Sequence, residues 1–287
     1  MVIINGSLQE IGTPDQAILN RAFKYGDSIF ESIRIYQGRI LFLEDHFDRL
    51  LRGMRMLKMR FDETEFLDQL RQAFTELMEA KDIDQHGYLR VQVYRAGLGA
   101  YRPMDNQPHY LLEAYSLKQD LFQEQAPIKL ATYRELSLQY DKLSPLKTGN
   151  SLPYVLARIH AQEMGMDDAV LFCDGYVSET AGANLFIVRQ KKIFTPPLRS
   201  ACLDGVMRKH ILQLCKQIKI PLTEKKLKLK DLLQADELFL TNSLRGIMAV
   251  NQLEDHLLGG IKQPMTNFLQ NCLRQYIEAG RESAFQS

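Results

Sequence analysis

The chain has 287 residues, with 36 lysines and arginines against 35 aspartates and glutamates, and a formal net charge of +1. This length is enough for two ordinary domains or one large one. A nearly neutral chain has no general field with which to recruit nucleic acid or an anionic membrane, so its partners must be inferred from individual sites.

Cysteines, histidines and the N-terminus narrow the class of protein further. The four cysteines contain no CxxC pair and the six histidines show no ligand spacing, so neither a disulfide framework nor a metal site is predicted. The opening MVIINGSLQE lacks the features of a signal peptide, and no segment approaches the roughly 18 apolar residues of a membrane span. We therefore expect a soluble, cytoplasmic protein.

Residues 1–118 are expected to form a smaller lobe that mixes strands and helices. Residues 29–36 (IFESIRIY) alternate apolar with polar side chains, and with 39–43 (RILFL) they predict a hairpin. From Glu44 the apolar period is helical, a second helix spans about 63–80, and 88–95 (YLRVQVYR) returns to strand.

The polar residues 119–127 predict a linker, and residues 128–287 a larger lobe. In the larger lobe, strands are expected near 128–133, 168–173, 183–188 and 236–241, and helices near 151–164, 205–218 and 265–279. Hairpins and helices are interleaved without regular βαβ units, so the sequence favours an α+β fold over a doubly wound sheet.

A lone lysine, Lys147, stands in 144–150 (SPLKTGN), between a proline turn and the predicted helix 151–164. A lysine that forms a Schiff base must spend time as the neutral amine, which burial or nearby positive charge favours. The residues on either side of Lys147 are mostly uncharged, which suits this role. Four residues of the following helix are expected to face inward and anchor the lysine backbone: Leu152, Val155, Leu156 and Ile159. A solvated surface lysine is the competing interpretation.

A second stretch, 174–188 (DGYVSETAGANLFIV), predicts a hairpin after an Asp-Gly turn, with Glu179 at a strand end. The small residues Ala181, Gly182 and Ala183 would let the backbone approach a flat group closely. A buried carboxylate that faces a pyridine nitrogen keeps this nitrogen protonated in pyridoxal phosphate enzymes. A solvated turn carboxylate is the alternative for Glu179.

A third stretch, 203–218 (LDGVMRKHILQLCKQI), predicts a helix whose start at Gly205 offers free N–H groups to a phosphate. Ordinary capping by Asp204 is the alternative, and its carboxylate would repel phosphate. A cationic partner could come from Arg49 in 44–50 (EDHFDRL), which could equally be a surface charge.

Together with 25–38 (YGDSIFESIRIYQG), 194–198 (FTPPL) and 235–247 (ADELFLTNSLRGI), these stretches form an ordered series that runs nearly end to end. The chain resembles the class IV aminotransferases, a family of fold-type IV pyridoxal phosphate enzymes. The family contains branched-chain and D-amino-acid aminotransferases and 4-amino-4-deoxychorismate lyase. The resemblance implies a two-lobed α+β fold with the cofactor between the lobes, and a homodimer.

The resemblance also implies the roles of individual residues. Lys147 would form the Schiff base with pyridoxal 5'-phosphate and then act as the general base, and Glu179 would contact the ring nitrogen. The phosphate would be held by Arg49, by the backbone N–H groups of Val206 and Met207, and by Ser243. Candidates for the substrate carboxylate are Arg34, Arg90, Arg102, Leu244 and Arg245, with Arg95 a further arginine to consider.

The expected reaction moves an amino group between an amino acid, branched-chain-like or of D configuration, and a 2-oxo acid. The alternative is the lyase reaction, which would yield 4-aminobenzoate and pyruvate. The chain departs from each subfamily at a few positions. Leu152 stands where branched-chain enzymes have a tyrosine, Ala183 replaces their second glutamate, Ala100 and Arg102 fall at an Arg-x-His carboxylate trap, and Ala249-Val250 replaces the Pro-Val of the lyase.

A non-enzymatic alternative rests on residues 49–60 (RLLRGMRMLKMR), a basic run that could bind nucleic acid or an acidic partner. Its methionines and leucines fall at helical spacing, however, which is typical of a half-buried surface helix.

Overall fold

A computed structural model describes residues 1–9, 20–95, 99–118, 120–258 and 263–280. The chain divides into two compact units. Unit 1 comprises Met1–Asp120 together with Leu146–Asn150, and unit 2 comprises Leu121–Pro145 together with Ser151–Ser287. The five-residue segment that carries Lys147 therefore belongs to unit 1, although the chain on either side of it belongs to unit 2.

Unit 1 is an antiparallel sheet packed against helices. Its strands are β1 (Val2–Ile4), β2 (Ser7–Gln9), β3 (Ser28–Tyr36), β4 (Arg39–Ile40), β5 (His86–Arg95) and β6 (Pro108–Ser116), in the order β2-β1-β6-β5-β3-β4. Its helices are α1 (Arg21–Tyr25), α2 (Leu43–Met56) and α3 (Glu63–Ala80). The predicted helices from Glu44 and over 63–80 are confirmed, as is the strand over 88–95.

The two faces of the unit 1 sheet differ in chemistry because strand side chains alternate between faces. Ile29 and Ile33 of β3, with Val91 of β5, lie in one buried cluster with apolar residues of α2 and α3. The alternate positions, which include Arg34 and Arg90, share the opposite face, since Ser32 pairs with Arg90 in the antiparallel register. Both candidate arginines are thus presented on the face away from α2 and α3.

The predicted hairpin is confirmed over its first strand but is wrong over the last three residues of RILFL. The second strand, β4, ends at Ile40. Leu41 N donates to Arg34 O at 2.9 Å, and Phe42 then adopts a left-handed φ of 53°, which takes the chain out of the ladder. The next residue, Leu43, begins α2.

Unit 2 contains a larger mixed sheet and further helices. Its strands are β7 (Ile128–Ser137), β8 (Asp168–Cys173), β9 (Tyr176–Thr180), β10 (Asn184–Arg189), β11 (Lys192–Thr195), β12 (Leu222–Glu224), β13 (Glu237–Asn242), β14 (Gly246–Leu253) and β15 (His256–Leu257). The strand order is β12-β11-β10-β13-β14-β7-β8-β9, with β15 paired to β14. Its helices are α4 (Leu152–Glu163), α5 (Val206–Gln217), α6 (Leu229–Leu233) and α7 (Pro264–Glu278), with a 3₁₀ turn at Leu198–Ser200.

All four strands and all three helices predicted for the larger lobe are present in unit 2. The Asp-Gly turn is also confirmed, because Asp174 and Gly175 both have left-handed φ values, 50° and 75°, and they join β8 to β9. The strands and helices support the predicted α+β fold. Among the described residues, no helix combines the length and the apolar character needed to cross a membrane.

The predicted orientation of α4 is wrong. Leu152, Val155, Leu156 and Ile159 were expected to face inward, but they are 73, 49, 41 and 47 % exposed. The buried residues of α4 are Ala157 and Ala161, which pack against Ala131, Ala169 and Leu171 of the sheet. Small side chains allow close packing of a helix on a sheet, so the alanine face is buried and the larger apolar face is left at the surface of unit 2.

Candidate active site

Residues predicted for the site lie in both units. In unit 1, the backbone of Lys147 is held by the start of β3. Phe30 N donates to Lys147 O at 2.8 Å, Gly149 N donates to Ser28 O at 2.8 Å, and Ile29 forms an isolated antiparallel bridge with Thr148. The expectation that the following helix anchors Lys147 is therefore corrected. The anchor is a strand more than a hundred residues earlier in the chain.

Glycines allow this close approach between the lysine segment and β3. A Cβ on Gly149 would lie 2.4 Å from Ser28 Oγ, and a Cβ on Gly26 would lie 2.5 Å from Asn150 Oδ1. Both separations are too short for ordinary contact, so a side chain at either position would displace the lysine segment.

The side chain of Lys147 lies over an aromatic ring. Its Nζ is 4.3 Å from the centre of the Phe30 ring, and the guanidinium carbon of Arg90 is 4.5 Å from the same centre. Arg90 Nη2 donates to Gln92 Oε1 at 3.1 Å, and Gln92 Nε2 donates to Ser28 Oγ at 3.1 Å. Two cations of unit 1 thus converge on Phe30, and a hydrogen-bond chain links Arg90 to the strand end that holds Lys147.

Arg49 lies in a buried ion network that the sequence analysis missed. Its Nε and Nη2 donate to the two carboxylate oxygens of Glu31 at 2.8 and 2.6 Å, and His46 Nδ1 lies 2.7 Å from Glu31 Oε2. Burial alone would raise the pKa of Glu31, but the Arg49 charge and the hydrogen bonds from Arg49 and His46 lower it to about 2. A signal was present in IFESIRIY, since Glu31 falls on the face of the isoleucines, where an unpaired charge would be costly.

The other arginines of unit 1 differ in their surroundings. Arg34 is buried, and this burial lowers its pKa while Asp120 acts in the opposite direction. Arg102 is exposed. Arg95 is buried, and its Nε donates to Asp27 at 3.0 Å while its terminal nitrogens contact Asn106 and Leu57 O. Arg95 is therefore occupied by contacts within the fold.

In unit 2, Glu179 lies near the end of β9 and is 3 % exposed. Its Oε1 accepts from Tyr154 Oη at 3.0 Å, and its Oε2 accepts from Asn184 Nδ2 at 3.2 Å and from Leu203 N at 3.1 Å. The interpretation as a solvated turn carboxylate is therefore wrong. Sequence reasoning identified Glu179 but neither Tyr154 nor Asn184, because both reach it through tertiary packing.

Asn184 also connects Glu179 to the start of α5. Its Nδ2 donates to Leu203 O at 2.9 Å, and a Cβ on Gly205 would lie 2.0 Å from its Oδ1. Gly205 is the N-cap residue of α5, and as a glycine it has no side chain with which to cap the helix. The first turn of α5, which contains Val206 and Met207, thus begins beside Asn184, the residue whose amide donates to Glu179.

The turn after β13 contains the remaining candidates of unit 2. Asn242 Oδ1 accepts from Leu244 N at 3.1 Å and from Arg245 N at 2.8 Å, which shapes the turn around Ser243. Arg245 Nε donates to Gln125 Oε1 at 3.0 Å. On β13, Thr241 pairs with Asn184, and its buried Oγ1 has no hydrogen-bond partner among the described residues.

Residues 28–253 match the family model of amino-transferase class IV. This match covers most of the chain, which therefore belongs to the class IV aminotransferase family. The members of this family are named as aminotransferases, so the chain belongs to a family of enzymes.

Individual proteins agree with this assignment. The chain is 28 % identical to a D-alanine aminotransferase of Bacillus licheniformis, over 96 % of both chains. It is 30 % identical to a putative branched-chain-amino-acid aminotransferase of Methanocaldococcus jannaschii, over 90 % of this chain and 89 % of the relative. A solved structure of a putative 4-amino-4-deoxychorismate lyase of Legionella pneumophila matches with a TM-score of 0.80 and 27 % identity, over 93 % of this chain and 97 % of the other.

Proposed function

We propose that this class IV aminotransferase uses pyridoxal 5'-phosphate, with Lys147 as its covalent anchor, to exchange amino groups between an amino acid and a 2-oxo acid. The observation that carries the proposal is the arrangement in unit 2, where the buried carboxylate of Glu179 is joined through Asn184 to the start of α5 at Gly205. A carboxylate for a ring nitrogen and a helix start for a phosphate are the two groups that this cofactor requires.

The residues present fit such a group. Asn184 Oδ1 occupies the place that a Cβ on Gly205 would take, so a glycine is needed for the helix start, with its backbone N–H groups, to lie against Asn184. Thr241 Oγ1, buried and without a partner among the described residues, offers a further polar contact on the strand that leads to Ser243. We assign the phosphate to the N–H groups of Val206 and Met207, to Ser243, and to Arg49.

Each remaining residue has a task that follows from its chemistry. When bound, pyridoxal phosphate stabilises the negative charge that develops at a substrate carbon. Glu179 holds positive charge on the ring nitrogen, and Lys147 Nζ takes the substrate α-proton and returns it. The guanidinium of Arg90, over the same ring as Lys147 Nζ, binds the substrate carboxylate.

We favour transamination over elimination, and a branched-chain-like or D-amino acid as donor. The relatives from Bacillus licheniformis and Methanocaldococcus jannaschii carry the names of aminotransferases, the first a D-alanine aminotransferase and the second a putative branched-chain-amino-acid aminotransferase. The lyase reaction, with 4-aminobenzoate and pyruvate as products, is the second candidate, and the 27 % identity to the putative lyase structure supports it.

We further propose that two copies of the chain associate and that α4 lies in their interface. Four large apolar side chains on this helix are 41 to 73 % exposed in unit 2: Leu152, Val155, Leu156 and Ile159. A stripe of this kind is typical of a surface that another protein covers. A second copy is the occupant that the resemblance to homodimeric enzymes implies.

A reconstitution experiment tests the cofactor and its anchor. The purified protein is incubated with pyridoxal phosphate, its visible absorption is recorded, and borohydride reduction is followed by peptide mass spectrometry. We expect a yellow protein in which reduction adds the cofactor at Lys147. Lys142→Ala, a change at a nearby exposed lysine, should preserve the label, whereas Lys147→Ala should abolish it. A colourless wild-type protein with unmodified Lys147 would remove the proposal.

A substrate comparison separates the two reactions. L-leucine, L-glutamate and D-alanine are each offered with 2-oxo acid acceptors, and 4-amino-4-deoxychorismate is offered alone. Exchange of amino groups supports the aminotransferase. Release of pyruvate with 4-aminobenzoate, without any exchange, would establish the lyase instead.

A further inference from the structure

Tyr154 is the tyrosine of α4 that reaches the candidate site in unit 2. It lies in the first turn of the helix, and its hydroxyl donates to Glu179 Oε1 at 3.0 Å. The other oxygen, Oε2, accepts from Asn184 and Leu203 N. The two carboxylate oxygens are therefore held from different elements, with α4 acting on Oε1.

The hydroxyl of Tyr154 is a permanent donor. Burial raises its pKa far above the ordinary value, and the neighbouring charge of Glu179 raises it further, so the phenol keeps its proton. Glu179 also influences the thiol of Cys202. Burial raises the pKa of this thiol to about 12, with the Glu179 charge acting in the same direction, so the thiol also stays neutral. Tyr154 can thus stabilise the anionic form of Glu179 without changing its own charge.

The packing of α4 decides which of its side chains reaches Glu179. Leu152, at the position where the resemblance to branched-chain enzymes implies a tyrosine, is 73 % exposed. Tyr154 follows two positions later on the same helix and points its hydroxyl at Glu179. Tyr154 packs against the buried cluster that contains Ala157 and Ala161, and this packing of α4 places the tyrosine hydroxyl beside Glu179.

We propose that Tyr154 is a positioning residue that fixes the carboxylate of Glu179 as an oriented anion and thereby keeps the cofactor ring nitrogen protonated. This inference rests on the proposed function. In this proposal Tyr154 acts through Glu179, to which its hydroxyl donates. A hydrogen bond between a neutral donor and a charged acceptor is directional, so its loss both frees the carboxylate to rotate and raises the proton affinity of Glu179 relative to the ring.

The test uses the full-length protein loaded with pyridoxal phosphate that carries ¹⁵N at the ring nitrogen. In Tyr154→Phe, which removes only the hydroxyl, we expect the ¹⁵N signal to move toward the value of an unprotonated pyridine. We expect kcat to fall about tenfold, the size of one hydrogen bond to a charged group, with KM for the amino acid changed less than about twofold. The matched control is Tyr133→Phe, a buried tyrosine of the same cluster whose hydroxyl makes no hydrogen bond to Glu179. It should leave the signal in place.

A double variant distinguishes positioning from a general structural role. If Tyr154 acts through Glu179, adding Tyr154→Phe to Glu179→Gln should change the ¹⁵N signal no further, whereas independent structural damage would add to it. A Tyr154→Phe signal equal to that of the wild type would overturn the inference while leaving the proposed function intact. Failure of the wild type to bind the labelled cofactor would instead refute the proposed function.

Discussion

Arg49 donates to both carboxylate oxygens of Glu31, from Nε at 2.8 Å and from Nη2 at 2.6 Å, inside unit 1. The two residues are 4 and 1 % exposed, so neither charge is compensated by water. Arg49, which we assign to the cofactor phosphate, is thus oriented by a partner on β3. The position of the Arg49 guanidinium therefore depends on Glu31.

Replacing Glu31 with Gln should destabilise the protein strongly, because it leaves the charge of Arg49 buried without its counterion. We expect the free energy of unfolding, measured in urea, to fall by roughly 3–5 kcal/mol. The matched control is Glu63→Gln, which removes a carboxylate that pairs with Arg55 at the surface, where both side chains are nearly half exposed. That change should have little effect. Equal losses for the two variants would contradict the buried pair.

Glu31 also predicts how the protein responds to acid. Its pKa in the folded protein is about 2, below the ordinary value of 4.5, so it contributes stability that is present above 4.5 and lost as the pH falls toward 2. Unfolding midpoints of the wild type should decline across this window. The decline should be shallower in Glu31→Gln, which has no carboxylate to protonate.

A second pH effect comes from His46, which is fully buried. Burial lowers the pKa of His46 below its ordinary value of 6.5, although the hydrogen bond to Glu31 acts in the opposite direction. The unfolded chain therefore takes up a proton that the folded protein resists, and stability is lost as the pH falls below about 6.5. In His46→Gln the stability should change less between about pH 7 and 5. His256→Gln, at an exposed histidine, should keep the wild-type profile.

The glycine behind Lys147 predicts a specific defect. In Gly149→Ala, the new methyl group would lie 2.4 Å from Ser28 Oγ, so the lysine segment must move away from β3. We expect slower incorporation of pyridoxal phosphate, followed by the visible band, and a loss of roughly 1–3 kcal/mol in unfolding free energy. Combining the change with Ser28→Ala removes the nearest clashing atom and should restore part of the incorporation rate. The contact would be contradicted if Ser28→Ala alone behaved as the wild type while the double variant took up the cofactor no faster than Gly149→Ala.

Arg90 is expected to bind the substrate carboxylate. In Arg90→Gln, loss of the guanidinium fork should raise KM for the amino donor about 10- to 100-fold, as expected for losing a charged hydrogen-bonded contact. Arg102→Gln, at an exposed arginine, is the control and should have little effect. The reverse result, a defect only at Arg102, would move the substrate site away from the face that carries Arg90.

The apolar stripe on α4 predicts an oligomer that a charge can disrupt. Val155→Glu combined with Ile159→Glu should convert a dimer to a monomer, because two carboxylates would be buried at the interface without partners. Size-exclusion chromatography with light scattering measures the change in mass. Gln275→Glu, on the exposed side of α7, adds a similar charge elsewhere and should leave the mass unchanged. A wild type that is already monomeric would refute the interface.

Several parts of this protein could be predicted from the sequence because they depend on neighbours in the chain. The period of the apolar residues identified α2 and α3, and Asp174-Gly175 identified the turn between β8 and β9, since left-handed φ values are a local requirement. The ordered motifs led to the class IV family and to Lys147, Glu179 and Arg49 as candidates. The side of α4 that is buried was predicted wrongly, because local hydrophobicity favoured the larger residues while the available space suited Ala157 and Ala161.

The contacts around the candidate site were decided by the tertiary structure alone. Lys147 is anchored by Phe30 and Ser28, Arg49 is paired with Glu31 across two elements, and Glu179 receives donors from α4, from β10 and from the loop before α5. Apart from Asn184, which follows Glu179 by five residues on the next strand of the chain, these partners are far apart in sequence, so no local periodicity signals them. A one-dimensional pattern determines which face of an element is apolar, but the pairing of buried polar groups depends on which elements pack together, and only the folded chain determines that.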